Sequence, residues 1–148
     1  MNMEEFVKEI TIDEGVKHEV YLDHLGLPTT GVGHLITEWD EEYEKPVGTP
    51  VSEERVQQLL KNDIHVTIEE CKVLYDDFDD LPVDVQHIIA NMMFNMGRPR
   101  LSQFKNMKKA VDNRDWYEAA YEMTNSKWCK QVPTRALRLV QRMQNVQT

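Results

Sequence analysis

Between Asp13 and Leu35 the chain reads DEGVKHEVYLDHLGLPTTGVGHL, and no other stretch restricts the fold as much. A helical pattern runs into it. Apolar Met3, Phe6, Val7 and Ile10 recur on one helix face up to Asp13, so Glu14 falls at the helix end, followed by Gly15, which accepts a positive φ. A strand pattern runs out of it. Val20 and Leu22, then Thr30, Val32 and His34, alternate as strand residues do, with Gly26 and Pro28 as turn formers between them. A short helix followed by a small hairpin sheet is the economical reading. It places Asp23 at a strand end and Thr29 and Thr30 just past the turn, so two carboxylates and a hydroxyl come close together. Glycoside cleavage uses one carboxylic acid to protonate the leaving oxygen and a second carboxylate to manage charge and the attacking water.

The remaining pattern is mostly helical. Glu38 to Val51 is acidic and carries Pro46, Gly48 and Pro50, which predicts a surface loop. Ser52 is placed to cap a long helix with Glu53 and Glu54 in its first turn, and Val56, Leu59, Leu60, Ile64, Ile68 and Cys71 carry the apolar face on to about Tyr75. The run DDFDD at Asp76 to Asp80 reads as a solvated loop, and Pro82 suits the first turn of a helix. Residues 82–96 are apolar on more than one side, which predicts the central helix of a second lobe, closed by Gly97 with Pro99 as a stop signal. Further helices are expected from about Ser102 to Val111, Asp115 to Thr124, and Pro133 to the C-terminus. Trp116, Tyr117, Trp128 and the Met92, Met93, Met96 cluster are expected in the core.

Composition narrows the function classes. The chain has 148 residues, enough for one domain with a real core and two lobes. Its formal charge of −9 disfavours nonspecific binding to nucleic acid or to an anionic membrane. Cys71 and Cys129 stand far apart without metal-like spacing and read as free thiols of a reducing compartment. The N-terminal MNMEEFVKEI has acids where an export signal needs positive charge, so no signal peptide is expected.

The order Glu14, eight residues, Asp23, five residues, Thr29, then GVGHL at Gly31 to Leu35, closely resembles the phage-type lysozymes of glycoside hydrolase family 24. The resemblance continues through NMMFNMG at Asn91 to Gly97, DWYEAA at Asp115 to Ala120, SKW at Ser126 to Trp128 and VPTRALR at Val132 to Arg138, so it spans nearly the whole chain. It implies a predominantly helical α+β, two-lobed lysozyme-like fold. The expected division is a small sheet lobe at about 14–58, a connecting helix at about 52–75, and a helical lobe at about 76–148 joined by the N-terminal helix. All of this forms a single lysozyme domain, residues 1–148.

The resemblance also assigns roles. Glu14 is the general acid, which must keep a proton near neutral pH and so needs desolvation. Asp23 and Thr29 manage charge and water, with inversion at the anomeric carbon. Arg135 orients Glu14 and helps close the lobes, and His34 pairs with Asp63 on the long helix. Leu35 and Phe94 line the sugar site. Met107 and Glu122 occupy two further substrate-contact positions where the family has small or neutral polar residues, which puts saccharide or stem-peptide recognition, but not the cleavage machinery, in question. A lone His34, and the spacing of His18 and His24, match no metal site, so no metal or cofactor is expected.

The implied activity is a muramidase of the endolysin type. It would be a monomer made in the host bacterial cytoplasm, released by a separately encoded pore-forming protein, and acting on the periplasmic peptidoglycan without nucleic acid or membrane insertion. The negative charge, and a chain that ends about ten residues after Arg138, also suit a tail-associated phage lysozyme. A further alternative is an inactive peptidoglycan-binding homologue.

Overall fold

The computed structural model describes residues 1–147. Helix α1 (Met3–Glu14) leads into strands β1 (Lys17–Leu22), β2 (Pro28–Gly31) and β3 (His34–Leu35), which form an antiparallel sheet in the order β1-β2-β3. Helix α2 (Glu53–Leu74) follows, then a 3-10 turn at Phe78–Asp80 and helices α3 (Val83–Met96), α4 (Arg98–Leu101), α5 (Lys105–Asp112), α6 (Trp116–Thr124), α7 (Lys127–Gln131) and α8 (Pro133–Gln144). The predominantly helical α+β class read from the sequence is the one observed. No helix among the described residues is long and apolar enough to cross a membrane. Contacts divide the chain into two compact units, Asn2–Val66 and the chain from Thr67 on, with the boundary inside α2.

In the first unit, α1 is capped by Asn2, whose side chain accepts from the Glu5 amide at 3.1 Å, and it ends at Gly15 with φ 74°. Phe6 and Ile10 are fully buried, and Glu14 continues the stripe that they begin. Ser52 caps α2 as predicted, its hydroxyl accepting from the Arg55 amide at 3.1 Å. Val56, Leu59, Leu60 and Ile64 are the buried face.

The acidic segment before α2 departs from the predicted surface loop. Its last residues run along the free edge of β1, where the Val20 amide donates to Thr49 O and the Val51 amide to His18 O, both at 2.9 Å. Glu42 is only 6% exposed, because Arg55 donates to it through Nε at 2.8 Å and Nη2 at 3.0 Å. A carboxylate buries only when its charge is met, and the bidentate guanidinium meets it. The same arginine lies 3.6 Å from Asp40.

His34 is held from both sides, Nδ1 by Asp63 and Nε2 by Asp40, each at 2.7 Å. The Asp63 partner is the one the resemblance implied; Asp40 is an addition. Burial works against the charged ring, but the two carboxylates outweigh it and raise the pKa to about 9.

In the second unit α3 is the core helix, with Val85, Ile88, Ile89, Ala90, Met92 and Met93 all buried. It ends at Gly97, φ 81°. Pro82 precedes the helix rather than lying in its first turn, its carbonyl accepting from the Gln86 amide at 3.0 Å. Pro99 does not stop helix formation but sits in the first turn of α4, where a missing amide hydrogen costs nothing. The chain of 98–104 is taken up by α4 and a turn, so α5 begins at Lys105 rather than Ser102. Ser126 caps the unforeseen α7 by accepting from the Cys129 amide at 3.2 Å.

The run DDFDD is no plain solvated loop. Phe78 is 2% exposed and anchors the 3-10 turn, while Asp77 pairs with Arg114 at 2.7 Å. The methionine cluster, Trp116 and Trp128 are buried as expected, but Tyr117 is 72% exposed. Both cysteines are free thiols, Cys71 buried and Cys129 half-buried. Helix α8 ends at Gln144, short of the C-terminus predicted for it; Thr148, where that prediction ends, lies outside the described residues.

Because the folded-state pKa of His34 lies above its unfolded value of 6.5, its contribution to stability is complete below that pH and is lost as pH rises through about 9. Asp63→Asn should therefore cost roughly 1–3 kcal/mol near pH 6 and less near pH 10. Urea unfolding of both proteins across that range checks it, and an equal loss at both ends would refute the ionic reading.

Candidate active site

The candidate acid is placed by the end of α1. Glu14 is the last helical residue, and the Gly15 amide turns back to Thr11 O at 2.9 Å. Its side chain lies directly against the turn between β2 and β3. A Cβ added to Gly33 would stand 2.6 Å from Glu14 Oε1 and 3.3 Å from both Cδ and Cγ. Gly33 also has φ 62°, a backbone region that side-chain-bearing residues rarely adopt. Two independent reasons thus demand glycine in the GVGHL motif, and one of them is the carboxylate itself.

The candidate second carboxylate sits on the hairpin. Asp23 Oδ1 accepts from the Leu25 amide at 2.8 Å and the Leu27 amide at 2.9 Å, so the acid closes the turn that it begins. The Leu27 amide, with the Leu25 amide and the His24 charge behind it, holds the carboxyl below its usual pKa. Asp23 is therefore an anion whose position is fixed by backbone. Thr29, 3% exposed, donates its hydroxyl to Leu27 O at 2.9 Å, on the same turn.

Sheet register supplies the neighbours. Tyr21 stands opposite Thr29, and Thr29 opposite Leu35, so these three residues share one face of the sheet. The Tyr21 phenol is pushed up by burial first and then by the charges of Glu14 and Asp23. One phenol thus feels the charge of both carboxylates, and the strand register sets it opposite Thr29. Lys17 Nζ lies 4.4 Å from the centre of the Tyr21 ring. Sequence reasoning missed Tyr21. Its signal was the strand register, which brings it beside Thr29, whereas the helix and turn patterns pointed only to the acids.

Of the other expected site residues, His34, Leu35 and Asp63 lie in the first unit, and Phe94, Met107, Glu122 and Arg135 in the second. Arg135 donates from Nε to Asn91 Oδ1 at 2.7 Å, and Asn91 is fully buried. Trp128 Nε1 donates to Asn95 at 2.7 Å. Met107 and Glu122 both line a cavity of about 540 Å³, together with Arg100, Phe104, Lys105 and Trp128. Met107 is 1% exposed. Phe94 on α3 is half-buried and does not line this cavity, and Leu35 is 49% exposed. Among the described residues no group of three or more His, Cys, Asp or Glu is arranged to hold a metal ion.

The family model described as phage lysozyme matches residues 11–145. The chain belongs to the phage lysozyme family. It is a glycoside hydrolase of the lysozyme type. The lysozyme is 33% identical over 147 residues to probable T4-type lysozyme 2 of Dictyostelium discoideum, covering 86% of each chain. It is 28% identical over 157 residues to the pre-baseplate central spike protein Gp5 of Enterobacteria phage T4, covering 94% of this chain and 27% of that one. It is 29% identical over 136 residues to peptidoglycan hydrolase gp36 of Pseudomonas phage phiKMV, covering 92% of this chain and 15% of that one. In this lysozyme the acid end of α1, the Asp23 turn and the Gly33 turn all fall within the matched residues.

Gly33→Ala should displace the Glu14 carboxylate and add about 1–2 kcal/mol of backbone strain. Misplacing a reacting group by about an ångström is expected to lower kcat roughly 10- to 100-fold. Lysis rates set beside thermal unfolding check this. A variant that is destabilised but keeps wild-type kcat would show that the glycine serves folding alone.

Proposed function

We propose that this lysozyme hydrolyses the β-1,4 bond between N-acetylmuramic acid and N-acetylglucosamine in bacterial peptidoglycan, with Glu14 as general acid. Glu14 gives its proton to the bridging oxygen as the C–O bond breaks. Water, positioned by Thr29 and Asp23, attacks the anomeric carbon from the opposite face and releases its proton to bulk or to Asp23. The observation that carries this reading is the Glu14 carboxylate seated on the Gly33 backbone, next to a tyrosine that feels both acids. An anchored anion such as Asp23 suits stabilisation of positive charge at the sugar ring. Arg135 is proposed to help orient Glu14, and Leu35, Phe94, Met107 and Glu122 to contact substrate, as the family resemblance implies.

The biological setting we propose is that of an endolysin. The protein is made in the host cytoplasm, acts as a monomer, and reaches the periplasmic wall through a separately encoded pore-forming protein. A second reading has its own support: a lysozyme carried by a virion tail. The likeness to a segment of a baseplate spike protein and the charge of −9, which gives no attraction to an anionic wall, both favour it.

Mass analysis of purified peptidoglycan digested by wild type and by Glu14→Gln tests the chemistry. Wild type should release muropeptides with reducing ends, and the variant at least about 100-fold less. Anhydro ends from the wild type, or undiminished release by Glu14→Gln, would overturn the assignment. An inactive binding homologue would retain wall and release nothing. Ionic strength supplies a separate check: the rate on intact wall should rise with added salt as repulsion is screened, and a rate that only falls would contradict repulsion as the limit.

A further inference from the structure

The segment between β3 and α2 presents an aromatic residue that neither the acid site nor the core uses. Trp39 is 87% exposed, more than any other aromatic among the described residues, whereas Trp116 and Trp128 are 8% and 2% exposed. Tryptophan is ordinarily well buried, because its large apolar surface gains from leaving water.

Trp39 is exposed on a fixed scaffold. It occupies the turn closed by the Asp40 amide on Thr37 O at 3.0 Å, and its own amide donates to Thr37 Oγ1 at 3.3 Å. Asp40 Oδ2 accepts from the Thr37 amide at 2.8 Å and also meets His34 Nε2. Arg55, which pairs with buried Glu42, also lies 3.6 Å from Asp40. Two part-buried ionic contacts thus fix a loop whose largest apolar group is left in solvent.

The scaffold also ties Trp39 to the sheet. His34, which holds Asp40, adjoins Leu35, and Leu35 shares a sheet face with Thr29 and Tyr21. Four residues of chain limit the separation of the Leu35 and Trp39 Cα atoms to about 14 Å. That distance is within the reach of a glycan strand a few pyranose rings long.

Resting on the muramidase reading, we infer that Trp39 is an accessory sugar-binding residue, its indole stacking on a pyranose ring of the glycan strand beyond the acid site. A flat, rigid aromatic face matches the C–H face of a pyranose and binds it at little entropic cost. The flanking acids choose the ring. Glu38, Glu41 and Glu44 are exposed on the same segment as Trp39 and repel the carboxylates of the stem peptide that muramic acid carries, so the platform takes N-acetylglucosamine.

The test combines turnover with binding. Trp39→Ala should raise KM for solubilised peptidoglycan roughly three- to tenfold with kcat within about twofold, and Trp39→Phe should fall between it and wild type. Titrating wild type with an N-acetylglucosamine tetramer should shift tryptophan emission to the blue, and the shift should vanish in Trp39→Ala, since the other two indoles are already buried. An unchanged KM in Trp39→Ala, or an emission shift that survives the substitution, overturns the inference. Because the titration needs no turnover, a wild type that shows the Trp39-dependent shift but releases no reducing sugar defeats the muramidase reading and leaves the sugar platform standing.

Discussion

The carboxylate of Glu14 rests on a backbone turn that has room for it only because residue 33 has no side chain. Much of the N-terminal unit is arranged to make that contact. Helix α1 ends at the residue that must face the turn, and its apolar stripe at Phe6 and Ile10 fixes the rotation that points Glu14 there. The short β2–β3 connection passes through a positive φ at Gly33, and the pairing of Thr30 with His34 fixes where that residue falls. Asp23, tied to the amides of its own turn, cannot drift from the same neighbourhood. Backbone thus helps to fix both acids, through the Gly33 turn at Glu14 and the Leu25 and Leu27 amides at Asp23.

A second layer of order comes from buried charge. His34 between two aspartates, and Glu42 under Arg55, join β3, the loop after it and α2 in one ionic network. Such networks contribute little net stability, since desolvation offsets most of the attraction, but breaking one member leaves a stranded charge at considerable cost. Their effect here is to hold a long acidic connection in one conformation beside the sheet. The exposed face of Trp39 is presented by this network.

Elements written in local pattern were legible in the sequence. Helix α1, the hairpin, the Ser52 cap of α2 and the Gly97 end of α3 each follow from residues within one or two turns of one another. The pairing of His34 with Asp63 was reached through family resemblance, because residues 29 positions apart leave no local trace. What escaped depended on distant partners. Glu42 looks like any acid of a solvated loop until Arg55 arrives from α2, and Phe78 is hidden among aspartates whose charge dominates the pattern. Helices α4 and α7 have four and five residues, too few for periodicity to register. Pro99 reads as a stop because the same residue suits either side of a helix boundary. At the site, the acids and Thr29 stand out, but the glycine that seats Glu14 and the tyrosine opposite Thr29 are visible only once the strands are paired.

If Gly33 acts on catalysis through Glu14 and not through the fold alone, its effect depends on the length of that acid. A double-mutant cycle on kcat reads this directly, with Gly33→Ala measured in wild type and in a Glu14→Asp background, where the shortened carboxylate withdraws from the turn. The penalty of Gly33→Ala should fall from roughly tenfold or more to within about twofold once the acid is shortened. An equal penalty in both backgrounds would contradict it.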